Sequence, residues 1–105
     1  MKPIHRSIAE IHVDKLKVFV YQNRQAMGQS AAIFTSELIK TMFVKVESIN
    51  MAFAAAPSQN EFLDSLVNLP GIDWNRIRAF HLDEYLGLPP EAPQRFSRYL
   101  YEKIF

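Results

Sequence analysis

Two adjacent carboxylates, Asp83 and Glu84, follow an apolar run and precede a Gly/Pro turn in the stretch FHLDEYLGLPP (80–90). A carboxylate at the carboxyl end of a strand can act as a general base when partial burial raises its pKa toward neutrality. Neighbouring side chains of an extended segment point opposite ways, so one carboxylate can face a pocket while the other forms an ion pair. The alternative is a solvated turn, and these residues alone leave both interpretations open.

A second candidate site is the turn AAAPSQN (54–60), which leads from an apolar run into an amphipathic one. A strand that runs into a helix offers an anion free backbone N–H groups and the positive end of the helix dipole, and Ser58 adds a hydroxyl donor. Alternatively, Ser58 only caps the helix, because SQNE (58–61) has the form of a capping box between Ser58 and Glu61. The turn has no glycine, so the anion signal is weaker than that of a P-loop.

Other chemistry finds little support in the sequence. The three histidines, His5, His12 and His81, have no spacing that suggests a metal site, and no nucleophile–base triad can be assembled from spacing. The sequence therefore predicts no metal ion.

Composition limits the class of protein. The chain has 105 residues, enough for one domain, and 49% of them are hydrophobic, enough for a core. Twelve basic and eleven acidic residues offer no electrostatic footprint for nucleic acid or for an anionic membrane. The sequence shows no signal peptide and no membrane-spanning run, and the absence of cysteine fits a cytoplasmic protein.

The first half of the chain predicts one strand and one long helix. Residues 1–14 have no clear period and are expected to be a loose arm. The run 16–21 is rich in β-branched and aromatic residues, which predicts a strand, and Asn23 can cap the helix predicted over 24–46. Apolar residues at spacings of three and four give that helix one apolar stripe, made of Met27, Ala31, Phe34, Leu38 and Met42.

The second half repeats the strand–helix order twice. Strands are predicted over 48–56 and 76–82, a helix between them stops at Pro70 and Gly71, and a closing helix carries Phe96, Leu100 and Ile104. This order predicts an α/β fold, a Rossmann-like three-layer α/β/α arrangement with a parallel sheet. Ligands of such sheets bind beyond the carboxyl ends of the strands, where both candidate sites lie.

The segment FHLDEYLGLPPEAPQRFSRYLYEKIF resembles the glucosamine-6-phosphate deaminase/isomerase family. The mark of that family is a strand followed by Leu/Met-Asp-Glu-Tyr-Val/Leu-Gly-Leu-Pro, and residues 82–89 match it at eight consecutive positions. Pro93 and the aromatic-rich helix ending at Phe105 also fit, and the resemblance extends more loosely back to Leu16.

The resemblance implies a reaction and roles for particular residues. Family members convert glucosamine 6-phosphate to fructose 6-phosphate and ammonia without a redox cofactor. By residue match, Asp83 would move the proton between C2 and C1 of the opened sugar, and Glu84 and Tyr85 would support the site. Ser58, with Gln59 beside it, would bind the sugar phosphate, although the glycines of the family's phosphate loop are missing here.

Family members are about twice this length or more, so residues 1–105 are expected to be a single partial domain, the N-terminal part of such an enzyme and inactive alone. A half-sheet would expose an apolar edge, which leads us to expect a homo-oligomer. Two alternatives stay open. One is a 6-phosphogluconolactonase, which shares the fold, and the other is a sugar-phosphate sensor or assembly module without turnover.

Overall fold

A computed structural model describes residues 6–54, 56–82, 87 and 96–104, and for residues 96–99 it describes the backbone only. Asp83, Glu84 and Tyr85 lie outside the described residues. The elements, in chain order, are the strands and helices β1 (Ala9–Val13), β2 (Leu16–Val20), α1 (Arg24–Phe43), β3 (Ile49–Phe53), α2 (Asn60–Asn68), β4 (Ile77–His81) and α3 (Phe96–Lys103). Short 3-10 turns at Pro57–Gln59 and Trp74–Arg76 precede α2 and β4.

The strands form two separate pairs. β3 and β4 are parallel, with Ile49 opposite Ile77 and Phe53 opposite His81. Helix α1 precedes β3 and α2 connects the two strands, which is the βαβ arrangement that the strand–helix order predicts. The mixed, partly parallel architecture confirms the predicted α/β class.

The N-terminal segment differs from the prediction. Residues 9–13 are not a loose arm but form β1, which pairs antiparallel with β2 through a tight turn in which Asp14 has a φ of 53°. Among the described residues, β2 therefore pairs with β1 and not with the parallel strands. β2 was predictable from its β-branched residues. Its partner β1 was not predicted, although residues 9–13 (AEIHV) alternate apolar and polar types, which is the pattern of a strand with one apolar face.

The core lies where α1, α2 and α3 meet the parallel pair. One cluster joins Ile39 of α1 to Ile49 and Ile77, which face each other across the two strands. A second cluster joins Phe53 at the end of β3 to Leu63 of α2 and Leu100 of α3. The predicted apolar positions of the α2 and α3 helices are thus confirmed at Leu63, Leu66 and Leu100, all of which are buried.

Both ends of α1 are secured by polar contacts. At its start, Asn23 caps the helix as predicted, its side-chain oxygen accepting from the amide of Ala26 at 2.8 Å. At its end, the Arg76 guanidinium lies 4.1 Å from the centre of the Phe43 ring and donates to the carbonyl oxygens of Phe43 and Val46. A cation that satisfies the last carbonyls of a helix also complements its dipole.

The buried face of α1 is not the face that its apolar spacing indicated. The residues that pack inward are mostly small, namely Ala26, Gly28, Ser30, Ala32, Ile33, Ser36 and Ile39. Large members of the predicted stripe are exposed, with Phe34 at 69% and Leu38 at 50%. Small residues are buried here because they allow α2 to approach closely.

Helices α1 and α2 approach each other closely at Gly28. A Cβ atom on Gly28 would lie 2.8 Å from the Cβ of Glu61 and 2.9 Å from the backbone nitrogen of Phe62. Next to this contact, Arg24 donates to the Glu61 carboxylate at 2.9 Å and to the carbonyl oxygen of Pro57 at 3.2 Å. The first turn of α1 is therefore joined to the first turn of α2 and to the 3-10 turn before it.

The contact at Gly28 generates a prediction about stability. Gly28→Ala should lower the free energy of unfolding by about 1–2 kcal/mol, because overpacking against backbone costs more than the roughly 1 kcal/mol that Ala gains in helix propensity. Urea unfolding followed by circular dichroism measures the change. Gln25→Ala, an exposed change in the same turn of the helix, should stay within about 0.5 kcal/mol. A Gly28→Ala chain as stable as the unaltered one would contradict the close packing.

The ion pair generates a prediction about pH. A hydrogen bond from its own backbone N–H, and then the Arg24 guanidinium, hold the pKa of Glu61 below its ordinary value of 4.5. Because the pKa is lower in the folded state, the stabilising contribution is present above pH 4.5 and is lost as the pH falls through the folded-state pKa.

Glu61→Gln should therefore lose less stability between pH 7 and pH 3 than the unaltered chain does. Urea unfolding at both pH values provides the measurement. Asp64→Asn, a carboxylate change on the exposed side of α2, is the matched control. An acid response identical in the Glu61→Gln and unaltered chains would show that the pair adds nothing to folding.

Candidate functional site

The turn after β3 brings the chain from the carboxyl end of a parallel strand to the start of α2. Residues 57–59 form a single 3-10 turn, in which the amide of Gln59 donates to the carbonyl oxygen of Ala56 at 3.1 Å. The amide of Asn60 donates to the carbonyl oxygen of Pro57. These two N–H groups are thus occupied within the turn, which leaves a smaller set of backbone donors than a glycine-rich loop would present.

The capping box predicted between Ser58 and Glu61 is absent, so that prediction is wrong. The residue that caps α2 is Gln59 and not Ser58, and its side chain makes no capping hydrogen bond. The Glu61 carboxylate is paired with Arg24 and is not drawn back to Ser58. Sequence spacing favoured a local partner for Glu61, whereas the fold supplies a charged partner 37 positions earlier in the chain.

The predicted substrate-binding residues of this turn differ in their surroundings. Ser58 is exposed, so its hydroxyl is accessible from solvent, beside the start of α2. The Gln59 side-chain amide instead donates to the carbonyl oxygen of Ala54, just after β3 ends. Gln59 thus fixes the turn to the end of the strand, and substrate binding by either residue stays a prediction.

The second candidate segment begins where β4 ends. The amide of Leu82 donates to the carbonyl oxygen of Phe53 at 3.0 Å, which extends the parallel pairing by one bond beyond His81. The carboxyl ends of β3 and β4 therefore lie side by side. The sequence continues directly from Leu82 into Asp83, so both predicted segments leave the same edge of the sheet.

Arg24 is the charged residue that the sequence did not identify. It contacts the turn through Pro57 and α2 through Glu61, and its side chain is 62% exposed, so its charge faces solvent beside the turn. Because Glu61 is paired with Arg24, an anion at the start of α2 would not face an unpaired carboxylate. The only signal in the sequence was the position of Arg24 directly after the Asn23 cap, which places it at the start of α1.

Other ionisable groups of the described residues do not form a site. His12 and Glu10 lie 3.0 Å apart on β1, all of whose residues are exposed. Within residues 6–54, 56–82, 87 and 96–104, no group of three His, Asp or Glu side chains could hold a metal ion. No helix in that part of the chain is long and apolar enough to cross a membrane.

Comparison of the sequence with known proteins finds glucosamine-6-phosphate deaminases. The deaminase of Halothermothrix orenii is 29% identical over 92 residues, which are 86% of this chain and 37% of that protein. The deaminase of Clostridium botulinum is 30% identical over 94 residues, 86% of this chain and 36% of that protein. No protein-family model matches the sequence.

Comparison of the structure with solved structures finds the same fold in longer chains. A protein from Neisseria gonorrhoeae described as a 6-phosphogluconolactonase superposes with a TM-score of 0.72 at 18% identity, over 80% of this chain and 36% of that one. A monomeric glucosamine-6-phosphate deaminase superposes with a TM-score of 0.66 at 22% identity, over 80% of this chain and 34% of that one.

The chain spans little more than a third of the length of the relatives that it matches. The sequence comparison confirms the resemblance indicated by the Asp-Glu-Tyr run, and the structural comparison confirms the fold. Over most of its own length, this chain is similar to a part of the glucosamine-6-phosphate deaminases.

Proposed function

We propose that this chain is part of an enzyme that converts glucosamine 6-phosphate to fructose 6-phosphate and ammonia. The observation that carries the proposal is the sequence similarity over 86% of the chain to proteins named glucosamine-6-phosphate deaminase. The parallel strand ends support it, because they bring the Ser58 turn and the start of the Asp83 segment to one edge of the sheet. For the whole protein, a cytoplasmic location, homo-oligomer formation and the absence of a redox cofactor stay predictions.

In this proposal Asp83 is the proton-transfer base. Its carboxylate takes the proton from C2 of the opened sugar and returns it to C1, through an enediol-like intermediate, and water replaces the amine at C2 as ammonia leaves. A base at the edge of a sheet can be both close to C2 and shielded from bulk water, and such shielding raises its pKa toward the working range. Glu84 and Tyr85 would hold the sugar and the base in position.

Ser58 would bind the phosphate of the sugar at the start of α2. The exposed hydroxyl and the positive end of the helix dipole both favour an anion there. The 3-10 turn occupies the amides of Gln59 and Asn60, so fewer backbone donors would face the phosphate than in a glycine-rich loop. The positive charge of Arg24, beside the turn, would then supply a larger share of the attraction. We therefore add Arg24 to the proposed phosphate site, as an electrostatic contributor.

The alternative of a 6-phosphogluconolactonase is supported by fold alone. The solved lactonase-type structure superposes well, but at 18% identity this likeness carries no information on the substrate. The sequence relatives reported above carry the deaminase name, and they favour the deamination reaction. Release of ammonia from glucosamine 6-phosphate, compared with hydrolysis of 6-phosphogluconolactone, separates the two functions. A protein that catalyses neither reaction would be a binding module without turnover.

The first functional prediction concerns Asp83. In the full-length protein that contains this chain, Asp83→Asn should lower kcat for ammonia release by about 10²–10⁴-fold, the usual contribution of a general base. A coupled ammonia assay provides kcat. Asp64→Asn, a matched change on the exposed side of α2, should leave kcat unchanged. Equal activity of the Asp83→Asn and unaltered enzymes would exclude Asp83 as the base.

The second functional prediction concerns Ser58. Ser58→Ala should raise KM for glucosamine 6-phosphate by about 10–100-fold, because a hydrogen bond to a charged group contributes roughly 1.5–3 kcal/mol, and it should change kcat much less. Ser65→Ala makes the same change within α2, away from the turn, and should leave KM unchanged. An unchanged KM in the Ser58→Ala enzyme would place the phosphate elsewhere.

A further inference from the structure

The β1–β2 hairpin has a strand edge that pairs with no other strand among the residues that the structure describes. All five residues of β1 are exposed, and in β2 only Val18 and Val20 are half-buried. A two-stranded hairpin is marginally stable in water, whereas three or more strands with an apolar face are stable. A free strand edge also pairs readily with another strand. The outer edge of β1, the side away from β2, is therefore a candidate interaction surface.

The hairpin register shows which backbone groups lie on the outer edge. The turn has two residues, so Val13 and Leu16, which close it, form a hydrogen-bonded pair. Hydrogen-bonded pairs alternate with non-bonded pairs along an antiparallel ladder, so Ile11 also bonds to β2. The backbone N–H and C=O groups of Glu10 and His12 consequently point to the outer edge, where a further strand can bind them.

The side chains beside this edge carry opposite polarity at its two ends. The carboxylate of Glu10 and the imidazole of His12 lie on one face, 3.0 Å apart. In the register of the hairpin, His12 faces Lys17, and Glu10 faces Phe19, which lines an apolar groove between β2 and α1. The edge is therefore acidic toward the start of β1 and basic toward the turn. When two such edges run antiparallel, each acidic end meets a basic end.

One antiparallel register satisfies both the backbone and the side chains. With Ile11 on a twofold axis, Glu10 of one copy lies opposite His12 of the other, and Ala9 lies opposite Val13. The two Glu10–His12 pairs are hydrogen-bonded pairs, which use the backbone groups on the outer edge. Each carboxylate then borders two imidazoles, one from each copy, and its oxygens can accept from both.

Other registers are excluded by the same residues. A shift of two positions places Glu10 opposite Glu10, or His12 opposite His12, and like groups directly opposite each other are unfavourable. A shift of one position turns the apolar side chains of one copy to the polar face of the other. The sequence of β1 is thus complementary to itself in a single arrangement, with Ile11 at its centre.

We propose that β1 is a self-association strand, through which two copies of this chain pair antiparallel and form a four-stranded sheet. The apolar face of that sheet combines Ile11, Val13 and Leu16 of both copies, which are 49%, 55% and 62% exposed in the single chain. Contact among them reduces this exposure, which favours the pairing in addition to the backbone bonds. Self-pairing through β1 is independent of the reaction proposed above.

The test is disulfide cross-linking of the 105-residue chain, which has no cysteine of its own. Ile11→Cys places two sulfurs at the twofold axis, where the Cα atoms of a non-bonded pair are about 4.5 Å apart, within the range of a disulfide. Val13→Cys is the matched control, because it lies on the same face with similar exposure. Its two copies would be about 13 Å apart, four residues along the strand.

With copper phenanthroline as oxidant, Ile11→Cys should form a disulfide-linked dimer at least about tenfold faster than Val13→Cys, as followed on non-reducing gels. Adding Glu10→Lys to Ile11→Cys should slow cross-linking about tenfold, because a cation then faces His12. Adding His12→Glu as well should restore the rate, because opposite charges face each other again. All these positions are exposed, so circular dichroism should show that each altered chain still folds.

Three results would overturn the proposal. Ile11→Cys and Val13→Cys chains that cross-link at equal rates would show random collision and not a defined register. An Ile11→Cys chain that stays monomeric would show that the outer edge of β1 does not pair with a second copy. A Glu10→Lys change without effect on the rate would show that the copies meet through another surface.

Discussion

The close approach of α1 and α2 at Gly28 is the contact on which the rest of the candidate site depends. Because a side chain at this position would overlap the backbone of α2, only glycine lets the first turns of the two helices meet. Arg24 reaches Pro57 and Glu61 from one helical turn before that contact. The position of the turn that precedes α2 is thus set by packing that begins in a different helix.

The parallel pairing of β3 and β4 supplies the second constraint. Ile49 and Ile77 face each other in the register and share a buried cluster with Ile39 of α1, so a slip of one residue would expose them. That register fixes Leu82 beside Phe53. The consequence is that the turn at Ser58 and the segment that starts at Asp83, about 25 residues apart in sequence, follow neighbouring strand ends.

Some local structure was predictable from residues that are close in sequence. The Asn23 cap needs only an amide three residues ahead, and the strand at 76–82 needs only its own β-branched and aromatic residues. Pairing partners were not predictable in the same way. The hairpin strand β1 was missed although residues 9–13 alternate apolar and polar types, and Glu61 bonds Arg24 although the spacing favoured a local capping box.

Helix α1 shows why periodicity alone can select the wrong face. Its large apolar residues define a regular stripe, yet the face that packs inward is built from Ala26, Gly28, Ala32 and serines, which carry a weak hydropathy signal. Hydropathy gives the most weight to large apolar side chains, whereas two helices that pack at short distance need small side chains where they touch. One face of α1 is therefore packed within the described chain, and the other is apolar and exposed.

The functional assignment combines different kinds of support. The sequence relatives support the proposed deaminase function, the solved structures share the fold, and Ser58 and Arg24 both lie at the turn that follows β3. The role proposed for Asp83 rests on its place in the Asp-Glu-Tyr run. The turn is the part of this account that the structure describes in atomic detail, and it is where the account can be tested most directly.

The decisive measurement is a titration of the isotopically labelled chain with glucosamine 6-phosphate, followed through the backbone amide signals. The account predicts shifts centred on Ser58 and its neighbours at the start of α2, reproduced by inorganic phosphate and absent with glucosamine. Shifts centred in the groove between β2 and α1, or no shifts up to high concentration, would contradict a phosphate site at this turn.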